Sequence, residues 1–149
     1  MGFTARIGQN EQVRLFDSLV TEEPLRIATR RLFERGDYGL AVEEGYKYLE
    51  SMVRTRSGLQ LTGADLMRKA FSLSAPKLKL TPLKSMSDKS EQIGYMDILA
   101  GCMTGIRNPR AHTHGFLDKP LIALELLALA NHLSRRVSAA TKCRRTNRP

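Results

Sequence analysis

The chain contains no tryptophan, only two cysteines (Cys102 and Cys143), and aromatic residues make up 6% of its 149 positions. Two isolated cysteines exclude a disulfide framework and a CxxC zinc pair, and a reducing, cytoplasmic setting is expected. Long apolar runs are missing as well. The nearest approach, Leu121–Ala130, contains Glu125 and falls short of the roughly 20 residues a membrane helix needs. No basic segment followed by an apolar run stands at the start, so no secretory leader is expected. Strand-type alternation is almost absent, and there is no internal repeat or low-complexity segment. Gly101 and Gly105 form neither a Walker nor a dinucleotide pattern, which removes the common phosphate-loop enzymes.

Acidic residues are missing from one end. Of 24 basic and 15 acidic residues, six basic and no acidic ones fall between Arg135 and Pro149. Removing those six from the 24 leaves 18 against 15, so the net charge of +9 belongs mostly to a tail. Such a tail hastens encounter with any polyanion, reads no sequence, and serves equally well as a solubilising terminus.

What remains is ordinary for a soluble domain with one hydrophobic core: 42% apolar and 26% charged residues. Helical spacing dominates. Val13, Phe16, Leu19 and Val20 mark an N-terminal helix, and Pro24 opens a second with Leu25, Ala28, Leu32 and Phe33. From Tyr38 a long helix places Ala41, Val42, Tyr46, Leu49 and Val53 inward. Glu43–Lys47 and Glu50–Arg54 are expected as solvent-facing i,i+4 pairs on its opposite side. The spacing ends this helix near Ser57–Gly58.

Thr62 and Asp65 suggest a capping box for a short helix with Leu66, Met67, Ala70 and Phe71. Residues 74–87 read as an ordered loop. Ser87 or Asp88 is expected to cap a helix carrying Ile93, Met96, Leu99, Met103 and Ile106, with Gly101 and Gly105 requiring close packing. Pro109 should end that helix near Arg107, leaving a loop of about ten residues before Asp118-Lys119-Pro120 starts the last helix. That helix is apolar nearly all round and needs cover from its own bundle or a second copy. The fold class is therefore all-α, an up-and-down bundle of four to five main helices. Residues 1–23 form a helical extension, 24–141 the bundle, and 142–149 a basic tail that frays.

Chemistry concentrates between Gly105 and Gly115, where Arg107, Arg110, His112 and His114 stand between two apolar helices. Histidine gives and takes protons near neutral pH, and arginine offers a fixed fork of donors to a phosphate. Together they suit attack of an RNA 2′-hydroxyl on the adjacent phosphodiester, a route that needs no metal and no cofactor. Each residue has a blander reading. Arg107 can be a helix C-terminal cation, Asn108 a turn residue, Arg110 a solvated charge or auxiliary phosphate contact, and His114 a surface histidine. His112, His114 and Cys102 match no standard metal spacing. His132 reads as a bundle histidine with a satisfied ring nitrogen, and Cys102 as a small core residue.

Arg107-Asn108-Pro109-Arg110-Ala111-His112 resembles the Arg-polar-x3–5-His motif of the HEPN superfamily (higher eukaryotes and prokaryotes nucleotide-binding). Gly39–Glu50, Leu61–Met67 with Ala70-Phe71, and Gly105–His112 look like one branch, the Ymh-type family of bacterial and phage-associated proteins. The resemblance spans roughly residues 25–135. It implies a HEPN-like bundle that forms a homodimer with a composite site and cleaves RNA without metal, as a toxin or phage-defence effector with an antitoxin or regulatory partner. It makes Arg107 the phosphate contact and His112 the proton-transfer group, with Asn108, Arg110 and His114 in support. A supporting acid on an earlier helix is also implied, for which Glu43 or Glu44 is nominated. Some members of the superfamily are instead non-catalytic modules that bind RNA, nucleotides or proteins.

Overall fold

The computed structural model describes residues 7–144. Its helices are α1 (Gln9–Leu19), α2 (Glu23–Glu34), α3 (Tyr38–Ser57), α4 (Gly63–Ala70), α5 (Met86–Cys102), α6 (Asn108–His112) and α7 (Pro120–Ala139). A π-helical turn, Met103–Arg107, joins α5 to α6, and two short strands, β1 (Leu78–Lys79) and β2 (Thr141–Lys142), pair antiparallel. The protein is an all-α bundle with this ribbon at one end.

The centre of the bundle is α3, packed between α2 and α7, while α1 lies on α7 and α4 on α5. Tyr46, Leu49 and Val53 of α3 are fully buried with Leu25, Leu99, Met103 and Leu127. The close approach of α3 to α7 uses Gly45, where a Cβ would come within 2.9 Å of the Leu127 side chain. Helix α1 shares this core, because Phe16 is buried and stacks on Phe33 with ring centroids 5.0 Å apart. Asp17 then ties α1 to α2 by accepting from Arg30 Nε at 2.8 Å and Arg26 Nη2 at 3.2 Å.

Buried amides hold the connections. Asn131 on α7 accepts from the backbone N–H groups of Thr21 and Glu22, fixing the turn into α2. Gln92, wholly buried on α5, accepts from Leu80 N–H and donates to the carbonyls of Phe71 and Leu78. Both of its amide hydrogens and its oxygen are engaged, which is why the proline-containing stretch 74–87 is ordered and can supply β1.

Several local expectations are corrected. Thr62 occupies the N-cap of α4 without a side-chain bond, so the box with Asp65 does not form. The capping box belongs to Ser85 and Asp88, each taking the other's backbone N–H. Gly101 and Gly105 would have nothing within 4 Å of an added Cβ, so close packing is not their reason. Pro109 does not stop the chain's helical course. Asn108 N–H reaches back five residues to Met103 O, and the widened turn restarts the helix with Pro109 in its first turn. The expected ten-residue loop shrinks accordingly to 113–119. Asp118 does not cap α7; Lys119 occupies that position. Of the tail expected to fray over 142–149, Lys142 is paired in β2 and Cys143 N–H donates to Lys77 O, while residues 145–149 lie outside the described residues.

Candidate functional site

The π-turn decides where Arg107 points. A helix that widens for one turn rotates its following side chains, and such bulges kink helices at specific points. Arg107, at the end of this turn, meets α3: its Nη2 donates to Glu50 Oε2 at 3.1 Å, and its Nη1 donates to Asn108 Oδ1 at 3.0 Å. Its Nε is buried with no partner among the described residues.

The carboxylate that meets Arg107 is Glu50; Glu43 and Glu44 make no ion pair with Arg107 among the described residues. The Glu50 side chain is 5% exposed. It also receives Arg54 Nη2 at 3.4 Å, one turn along α3, and the backbone N–H of Gly63 at 2.5 Å. Two guanidinium groups around one carboxylate leave the cluster with a single net positive charge, held at a fixed place by two helices. The expected Glu50–Arg54 pair is present, yet its carboxylate is buried and only Arg54 reaches solvent. A helical wheel carries the signal, since Glu50 lies four residues after Tyr46 and three before Val53, within the apolar arc.

Beyond Arg107 the short helix α6 carries His112 to an open cleft of about 410 Å³. Glu43, Arg110, His112 and His114 share this cleft, whereas Arg107, Asn108 and Glu44 do not line it. Glu44 instead pairs with Lys47 at 3.0 Å, and Glu43 pairs with the same lysine at 2.6 Å. Both histidines are exposed. A single chain thus presents its arginine and its histidines at neighbouring but separate places.

Arg110 is neither a solvated charge nor a free phosphate contact. Its Nε and Nη2 donate to the two oxygens of Asp118, both at 2.7 Å, and its Nη1 donates to Ile106 O at 2.8 Å. The guanidinium also lies 4.6 Å from the centroid of the Phe116 ring. With side chains 7% and 4% exposed, Arg110 and Asp118 form a buried bidentate pair that closes the 113–119 loop. The loop then rests on Gly39 of α3, where any Cβ would collide with the Phe116 carbonyl.

A family model described as "Protein of unknown function (Hypoth_ymh)" matches residues 21–137. The chain belongs to this family. No curated protein and no solved structure matches it. The part matching Hypoth_ymh runs from the start of α2 almost to the end of α7, and so contains Glu50, Arg107 and His112.

Other polar groups of the bundle have structural explanations. Cys102 is buried, and burial pushes its thiol up to about 11, which keeps it protonated and unreactive at neutral pH. Burial likewise raises Tyr46 above the ordinary phenol value, and its hydroxyl donates to Leu126 O at 2.8 Å. His132 is exposed and its Nε2 lies 2.6 Å from the Tyr95 hydroxyl. Among the described residues no three His, Cys, Asp or Glu side chains stand together as a metal set, and no helix is long and apolar enough to cross a membrane.

Proposed function

We propose that this protein is a HEPN-type, metal-independent endoribonuclease whose phosphate contact is Arg107 and whose proton-transfer group is His112. The observation that carries the reading is the anchoring of Arg107 by buried Glu50 and by Asn108, beside a short helix that delivers His112 to an open cleft. A cation whose position is fixed before substrate arrives stabilises developing charge without reorganisation. The fork held by Glu50 and Asn108 would meet the non-bridging oxygens of the scissile phosphate. One histidine takes the 2′-hydroxyl proton while the 2′ oxygen bonds to phosphorus. A second gives a proton to the departing 5′ oxygen, leaving a 2′,3′-cyclic phosphate and a 5′-hydroxyl.

A second copy of the chain supports this division of labour. Arg107 and His112 do not line a common cleft in one protomer, and a homodimer would bring two sets together across a two-fold axis. Leu40, which lines the cleft, is 45% exposed, and Leu117 in the 113–119 loop and Leu121 at the start of α7 are 90% and 55% exposed, apolar surface of the kind that association buries. Such an enzyme would act as a toxin or phage-defence effector, with an antitoxin or regulatory protein as partner.

A non-catalytic RNA-binding module is the second reading, favoured by one observation: among the described residues nothing hydrogen-bonds to His112 to orient its ring. Parallel incubation of one sequence as RNA and as DNA, in excess chelator, tests the proposal. Cleavage of RNA alone with cyclic phosphate ends supports it, equal cleavage of DNA refutes the 2′-hydroxyl route, and binding without cleavage favours the module.

A further inference from the structure

At the far end of α3 from the 113–119 loop, a second cleft of about 730 Å³ opens between the helix C-terminus and the β1–β2 ribbon. Ser57, Gly58 and Leu59 form one wall, and Lys77, Lys142 and Arg144 the other. Its shape is held by backbone bonds: Lys77 N–H donates to Ala70 O, and Cys143 N–H donates to Lys77 O, both at 2.9 Å. Arg56 pins the ribbon from below, donating through Nη2 to Ala140 O. Leu59, half-buried, supplies an apolar floor.

The side-chain charge here is of one sign. The segments that build this end, 51–64, 66–87 and 126–144, contain no aspartate or glutamate. No ion pair is formed by Lys77, Lys142 or Arg144 among the described residues. Three uncompensated cations around a preformed cleft with an apolar floor suit phosphates that carry flat or aliphatic groups between them.

The cleft also lies in line with Arg107. Glu50, Arg54 and Ser57 are spaced i, i+4 and i+7, which puts them on one face of α3. Seven residues of helix span about 10 Å, so Arg107, held by Glu50, is followed along the helix by Arg54 and then by the cleft.

The geometry points to a second substrate site: the Lys77–Lys142–Arg144 cleft binds the backbone of the RNA strand a short distance from the scissile phosphate at Arg107. This rests on the ribonuclease reading and adds to it a single-stranded substrate long enough to reach from α6 to the ribbon. The cleft contributes affinity and no base recognition, because its charged groups are cations suited to phosphates and the Ser57 hydroxyl is already engaged by Arg54 O and Leu59 N–H.

The test is a titration of the His112→Ala protein, which should hold RNA uncut, with a fluorescently labelled single-stranded RNA across a range of salt. The background protein is compared with the same protein carrying Lys77→Ala and Lys142→Ala. The expected result is about a tenfold loss of affinity and a slope of log K against log salt shallower by about 1.4, two phosphate contacts fewer. Lys77→Arg with Lys142→Arg should restore both, which separates lost charge from lost fold. Unchanged affinity and slope, with Arg107→Ala still weakening binding, would overturn the cleft and leave the ribonuclease reading standing. No RNA binding by the background protein and no cleavage by wild type would overturn both. Binding to phosphatidylserine vesicles with none to RNA would overturn the cleft's assignment in favour of a lipid surface.

Discussion

Glu50 accepts the guanidinium of Arg107 at 3.1 Å from a position 57 residues earlier in the chain, and with its other oxygen accepts the backbone N–H of Gly63. Three segments therefore meet on one carboxylate: α3, the start of α4, and the π-turn that ends in Arg107. Replacing Glu50 by alanine leaves two arginines and an amide without their acceptor. The expected loss is about 3 kcal/mol of stability, because a partly buried charge deprived of its partner is costly. Denaturant unfolding measures it. Glu50→Gln should recover part of that stability and still lower RNA cleavage, since an amide holds a guanidinium less firmly than a carboxylate does.

The Arg110–Asp118 pair is a separate device with a separate consequence. Asp118→Asn removes the charge from a bidentate pair that is almost fully buried, and the 113–119 loop should loosen from Gly39. A stability loss of about 3 kcal/mol is expected, with faster amide exchange at Thr113–Phe116 than in α3.

Gly101 offers the opposite sign. It lies inside α5, where an added methyl group would have nothing within 4 Å, and its backbone is not left-handed. Gly101→Ala should raise stability by about 1 kcal/mol, visible as a higher melting temperature.

Hydrogen bonding from Arg30, then from Arg26, holds the Asp17 carboxylate below its ordinary value of 3.8. A carboxylate with a depressed native pKa contributes stability at neutral pH that is lost as pH falls from the unfolded value through the native one. Stability should therefore decline below about pH 4. In Asp17→Asn that part of the decline should flatten, with lower stability at pH 7. Urea midpoints between about pH 2.5 and 7 compare the two.

Much of the bundle is legible from the spacing of Tyr46, Leu49 and Val53 and from the punctuation at Pro24 and Gly58, since an amphipathic helix declares its buried face locally. The end of α3 at Ser57 and the first-turn place of Pro24 follow from the same rules. What stayed hidden depends on long-range partners. Glu50 looks like half of a surface pair until Arg107 arrives from the other end of the chain. Asp118 looks like a cap for α7 until Arg110 claims both its oxygens. Pro109 looks like a stop because the residue before a proline is biased away from helical geometry, yet Asn108 holds φ −61° and ψ −44°, and Pro109 falls in the first turn of α6, where its missing N–H leaves no hydrogen bond unmade. Asn108, by contrast, could be placed beside Arg107 from adjacency alone, and its side chain does bond there.

Metal-independent cleavage of RNA through Arg107 and His112 is the activity proposed for this protein. Its most direct test is incubation of purified wild type, Arg107→Ala and His112→Ala with labelled total RNA in excess chelator, followed by end-group analysis. Wild type should yield fragments with 2′,3′-cyclic phosphate ends and neither variant should yield any, with both variants folded by circular dichroism. Equal cleavage by all three proteins, or none by wild type as a dimer, would contradict it.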